Sequence, residues 1–195
     1  MNILIRKRFF AAALSILVFE LLGCGSIIYA DGPYHGRVID TETKEPIEGA
    51  AVLAVWNRRT AFLGHPRITY YDAQETLSDK GGNFTIPGTS TFSLNPLSRI
   101  DEPRFTIFKP GYRAYTALFQ VSTQDTPTGL YEKDGRLVVE LKQLTRREER
   151  LENLGRISIS SRVPNEKYPN LMRLRDLEEA ALGLSSRHPP KGAGP

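Results

Sequence analysis

Cysteine, histidine, tryptophan and methionine are all scarce in this chain: one, three, one and two among 195 residues. A single cysteine, Cys24, excludes any disulfide within the molecule. The histidines are His35, His65 and His188, and the residues three positions after them are Val38, Ile68 and Lys191. No His-x-x-Glu pair and no histidine pair at helical spacing exists, so the usual zinc-hydrolase patterns are absent and no metal is expected. Gly-x-Ser-x-Gly and the phosphate-binding Gly-x-x-x-x-Gly-Lys-Ser/Thr are missing too. Charge of one sign is also in short supply. The formal net charge is +4, and without the first 23 residues the chain holds 23 basic against 21 acidic groups. That balance argues against a nucleic-acid partner and against steering of acidic ligands. No catalytic residue and no cofactor is indicated, and the chain is expected not to be an enzyme.

Long hydrophobic runs are limited to the N-terminus. Arg6, Lys7 and Arg8 precede an apolar run over residues 9–19, which is long enough for the core of an export signal and too short to span a bilayer alone. Glu20 interrupts it; a helix continued to Ala30 would bury that carboxylate at mid-depth, at a cost of about 2.5–3.5 kcal/mol. Two processing sites follow. Leu21-Leu22-Gly23-Cys24 resembles a lipobox, which would make Cys24 the lipidated first residue, and Ile28-Tyr29-Ala30 offers an ordinary signal-peptidase site. Residues 1–30 therefore read as a signal peptide, with an alternative end at 23. The protein is expected to be exported, as a periplasmic or outer-membrane-attached lipoprotein or a secreted form, touching a membrane only through a lipid anchor.

Turn residues then punctuate short β runs. Residues 35–40 alternate and stop before Pro46, which cannot donate to a ladder. Residues 50–56 place Val52, Ala54 and Trp56 on one face and Leu53 and Val55 on the other, the pattern of a central strand buried on both sides. Residues 57–71 read as a long loop. A short strand at 74–78, a hairpin turn at Asp79-Lys80-Gly81-Gly82 and a strand at 83–86 come next; glycine suits a turn that visits positive φ. Asp79 with Asn83 lacks the remaining ligands of a calcium loop. Residues 87–103 read as a second polar excursion, 104–108 as a strand, Lys109-Pro110-Gly111-Tyr112 as a type II turn, and 114–121 and 137–141 as the last strands. Seven strands are expected. Beyond Leu144 the pattern turns helical: Thr145-x-x-Glu148 has capping-box spacing, with Leu151, Leu154 and a stop at Gly155. A second helix is expected over residues 170–182, capped by Gly183, and disorder over 185–195.

Four of these motifs occur together in order: Gly36-x-Val38-x-Asp40, Pro46-Ile47-Glu48-Gly49-Ala50-x-Val52, Asp79-x-x-Gly82-x-Phe84 and Lys109-Pro110-Gly111-Tyr112. Together they resemble the carboxypeptidase regulatory-like domain. That resemblance implies a mainly β, seven-stranded antiparallel β-sandwich of the transthyretin-like or Ig-like kind, here with a short C-terminal helical appendage. It also implies an accessory binding or attachment role without chemistry of its own. The expected organisation is a signal at 1–30, a sandwich at 31–143, a helical extension at 144–184 and a tail at 185–195.

Function is then expected in what departs from the scaffold. Arg58, Arg59, His65, Arg67, Tyr70 and Tyr71 form the candidate binding surface, because arginine and tyrosine combine large contact area with directed hydrogen bonds. The partner is expected to be an envelope protein. The alternative is a glycan stacked on Tyr70, Tyr71 and Tyr115, and a hydrolase without a recognisable motif is the third reading. The charges at 146–150 read as the wet face of a helix.

Overall fold

The computed structural model describes residues 28–62, 64–93, 95, 97–116 and 129–184. The signal region through residue 27, Cys24 with it, the expected strand residues 117–121 and the tail at 185–195 lie outside the described residues.

Among the described residues the chain is mainly β, with two helices. Eleven strands are described: β1 (Ile28–Asp31), β2 (Tyr34–Asp40), β3 (Ala51–Thr60), β4 (Arg67–Leu77), β5 (Asn83–Ile86), β6 (Thr89–Phe92), β7 (Ser98–Ile100), β8 (Arg104–Phe108), β9 (Tyr115–Thr116), β10 (Gly129–Lys133) and β11 (Arg136–Leu141). Helices α1 (Arg147–Arg156) and α2 (Pro169–Ala181) follow, with a 3₁₀ turn at Asn165–Lys167 between them. One sheet has the order β10-β11-β2-β5, a second β4-β3-β8-β9 with β7 on the far half of β3, and β1 pairs with β6. Among the described strands every pair is antiparallel except β2 with β11, which run parallel.

β3 is central and buried on both faces, as its apolar pattern requires. Val52, Ala54 and Trp56 join Val38, Phe84, Ile86, Val139 and Leu141 of the four-stranded sheet in one apolar cluster. Ala51 and Leu53 point the other way, into a second cluster closed by Leu154, Ile157, Val163, Leu171, Leu174 and Leu182. A 13-residue helix is marginal alone in water. Burying Leu171, Leu174 and the C-cap residue Leu182 at about 1.5–3 kcal/mol each supplies roughly 5–9 kcal/mol of gross stabilisation and holds α2 on the sheet.

Polar ties fix the same docking. The Glu75 carboxylate on β4 accepts the N–H groups of Asn170 and Leu171 at 2.8 and 2.7 Å, so a sheet residue caps α2. At its other end Gly183, at φ +73°, donates to Ala180 and Leu184 donates to Glu179, a Schellman closure. Asn153 of α1 is buried; its Oδ1 accepts from Ala114 N and its Nδ2 donates to the Tyr112 carbonyl.

Several expectations need correction. Residues 57–71 are not a loop: β3 runs to Thr60 and β4 begins at Arg67, leaving only 61–66 as the turn. The pairing survives the polar residues because a bulge between Trp56 and Asn57 shifts the register. The stretch 87–103 holds β6 and β7, and the polar run before β11 holds β10. These three strands, with β1, take the strand count from seven to eleven. Residues 79–82 do not close a hairpin. They form a corner, since β4 belongs to one sheet and β5 to the other. The true two-residue hairpin turn is Asp134-Gly135, both at positive φ. The capping box at Thr145 does not form either: α1 starts at Arg147, its N-cap is Arg146, and no side chain caps it. Arg146 pairs with Glu149 instead.

Candidate functional site

The six expected surface residues share the β3–β4 hairpin without converging. Arg58 lies over the Tyr71 ring, 4.9 Å from its centroid, and the Tyr71 hydroxyl donates to the Ser90 carbonyl at 2.9 Å. Arg59 is tied to Asp101, with Nη2 2.8 Å from Oδ2, and this carboxylate holds its pKa above the ordinary arginine value. Tyr70 faces the opposite way and packs on the helical cluster, where burial raises its pKa. His65 and Arg67 are exposed at the turn. The glycan reading loses Tyr115, which is only 5% exposed and belongs to the first apolar cluster.

The charges at 146–150 also divide. Arg150 turns inward onto Glu178, which is fully buried. Arg150 Nε reaches Oε1 at 2.8 Å, Nη2 reaches Oε2 at 2.6 Å, and the Gly111 N–H donates to Oε2 at 3.1 Å. The proline–glycine turn has the expected form, with Gly111 at φ +80° and Tyr112 N donating to Lys109 O at 3.0 Å. One carboxylate thus joins α2, α1 and that turn.

Asp79 serves the corner. Its Oδ1 accepts the N–H groups of Gly81 and Asn83, both at 2.8 Å, and the Asn83 bond is the main cause of its lowered pKa. Among the described residues no group of three His, Cys, Asp or Glu side chains is placed to hold a metal ion.

A carboxylate of a different kind ends β1. Asp31 accepts the Trp56 Nε1–H through Oδ2 and the Tyr34 hydroxyl through Oδ1, both at 2.6 Å. Burial, then the hydrogen bond to Asp31, raises the Tyr34 pKa. Tyr29, two residues earlier, packs against the first apolar cluster. The segment proposed for signal-peptidase recognition is therefore a strand of the fold.

Sequence reasoning gave no sign of a cleft beside α2. A cleft of about 350 Å³ opens between residues 157–159, the 3₁₀ turn and α2. Ile157, Ile159, Tyr168 and Met172 supply its apolar lining, and Arg175, Asp176 and Glu179 its charge. The Tyr168 hydroxyl donates to Asn165 Oδ1 at 2.6 Å. Glu179 is buried; its Oε1 accepts Arg175 Nε at 3.2 Å and its Oε2 has no hydrogen-bond partner. On a helix drawn from sequence, Glu178 and Glu179 look like solvated neighbours, and only the docking of α2 buries both.

No family model, no curated protein and no solved structure matches this chain.

Proposed function

We propose that the protein is an exported, non-catalytic β-sandwich of the carboxypeptidase regulatory-like kind, acting in the bacterial cell envelope as a binding and structural module for a protein partner. The sandwich reading is supported by the apolar cluster shared between the four- and five-stranded sheets. Local geometry at three of the four family-like motifs supports this reading. Gly82, at φ +76°, abuts the Val38 carbonyl, Pro46 bridges to Ile39, and Gly111 makes the turn after β8.

The α2 cleft is the observation that carries the binding role. Its wall alternates apolar surface with charge, the mixed lining of a binding cleft. A lysine or an arginine of a partner protein would pair with Asp176, while Met172 and Tyr168 take apolar contact.

Export with processing before Cys24 fits better than cleavage after Ala30. The latter would remove Ile28-Tyr29-Ala30, which pairs with β6 and carries Tyr29 into the core.

Crosslinking in the native envelope tests the reading, with a photoreactive residue at Met172 and an Arg175→Ala variant beside it. A discrete protein adduct that Arg175→Ala weakens is expected. Equal recovery from folded wild type and variant would remove the cleft.

A further inference from the structure

We propose that the end of the molecule formed by the β3–β4 and β6–β7 turns is a membrane-facing surface that seats on anionic phospholipid headgroups. The two turns are one unit: Ala61 N donates to Leu97 O at 2.8 Å, and Thr60 and Arg59 pair with Ser98 and Arg99. Large apolar side chains stand out from it into solvent, with Phe62 76%, Phe92 62%, Leu97 62% and Ile68 37% exposed. They are four of the seven large apolar side chains exposed among the described residues. A monomer surface rarely gathers such groups without an occupant.

Charge selects the occupant. Residues 57–68 and 89–100 contain Arg58, Arg59, Arg67, Arg99 and His65, and no aspartate or glutamate. Asp101, next to this end, pairs closely with Arg59 at 2.8 Å and more loosely with Arg99 at 3.6 Å, so the arginines still outnumber it. Arg67 and Arg99 remain exposed beside the apolar groups. Apolar side chains that enter the acyl boundary by about 5–10 Å, ringed by arginines at phosphate depth, are the arrangement an anionic interface binds.

Chain direction supplies an independent reason. β1 and β6 are antiparallel with Ile28 opposite Phe92, so the chain enters the fold at this same end. Cys24 is four residues upstream, within about 14 Å of Ile28 even if fully extended. An anchor at Cys24, or an uncleaved apolar run, would deliver this surface to the bilayer. That last step rests on the export reading; the surface itself does not.

The test uses the full chain with Phe62→Trp, and Leu177→Trp on α2 as a control, against vesicles with brominated acyl chains. Leu177 is 51% exposed and adjoins Glu178, which contacts the Gly111 turn beyond the opposite end of β3. Phe62→Trp emission is expected to fall on phosphatidylcholine–phosphatidylglycerol vesicles and Leu177→Trp emission to stay unchanged. Adding Arg67→Gln and Arg99→Gln should return Phe62→Trp to its value on pure phosphatidylcholine. Equal quenching at both positions, or none at Phe62→Trp, overturns the proposal. So does a photoreactive residue at position 62 that captures protein rather than lipid in cells. The intact mass separates the two readings: quenching with an unmodified Cys24 keeps the lipid surface and removes the anchor.

Discussion

Arg150→Met is expected to destabilise the fold by about 3 kcal/mol, through the charge it leaves behind in Glu178. That carboxylate is fully buried and has three donors, two from Arg150 and one from Gly111. Breaking a buried pair from one side costs about 3–5 kcal/mol, because the remaining charge is uncompensated. The lower end applies here, since the Arg150 side chain is 25% exposed and water can follow its removal. A shift of about 3 kcal/mol lowers Tm by roughly 6–12 °C in a domain of this size. Arg150→Met with Glu178→Leu removes both charges and should recover to within about 1 kcal/mol of wild type, the remainder being the orphaned Gly111 N–H. Urea unfolding of the two single variants and the pair measures the coupling directly. A single-variant loss below about 1 kcal/mol, with native helix content, would refute the view that this pair fastens α1, α2 and the Gly111 turn together.

Asp31→Ala orphans the buried Trp56 Nε1–H and the Tyr34 hydroxyl and should cost about 2–4 kcal/mol, with a changed Trp56 emission as a second readout. Glu75→Ala should cost about 1 kcal/mol and fray the first turn of α2, seen as faster amide exchange at Asn170 and Leu171. Asp79 has a pKa below the usual 3.8, so its contribution is present above that value and is lost as pH falls through the lowered one. Urea midpoints of Asp79→Asn should therefore fall less than those of wild type as the medium is acidified below about pH 4.

What was legible in the sequence follows from which forces act locally. The buried β3 core, the Gly111 turn and α2 were readable, because apolar periodicity and turn chemistry are written in neighbouring residues. The outer half of the β3–β4 hairpin was not. Asn57 to Thr60 are half-buried polar residues whose strand form is imposed by β4 and β7, and no alternation announces it. β10 was missed although Asp134-Gly135 carries the local signal for a tight hairpin; the exposed Tyr131-Glu132-Lys133 run hid the strand. The capping box failed because the helix starts one residue later than its spacing requires. The candidate surface was read as one loop, but its residues lie on a hairpin whose strand geometry sends Tyr70 and Tyr71 to opposite sides. The α2 cleft and the buried state of Glu178 and Glu179 arise from tertiary docking alone.

The most direct test of the proposed binding role is photocrosslinking from Met172 in intact cells that express the full chain. A discrete protein adduct, weakened by Arg175→Ala in a protein that still folds, is the predicted result. No adduct at Met172, or one indifferent to Arg175→Ala, would contradict a partner-binding module built around the α2 cleft.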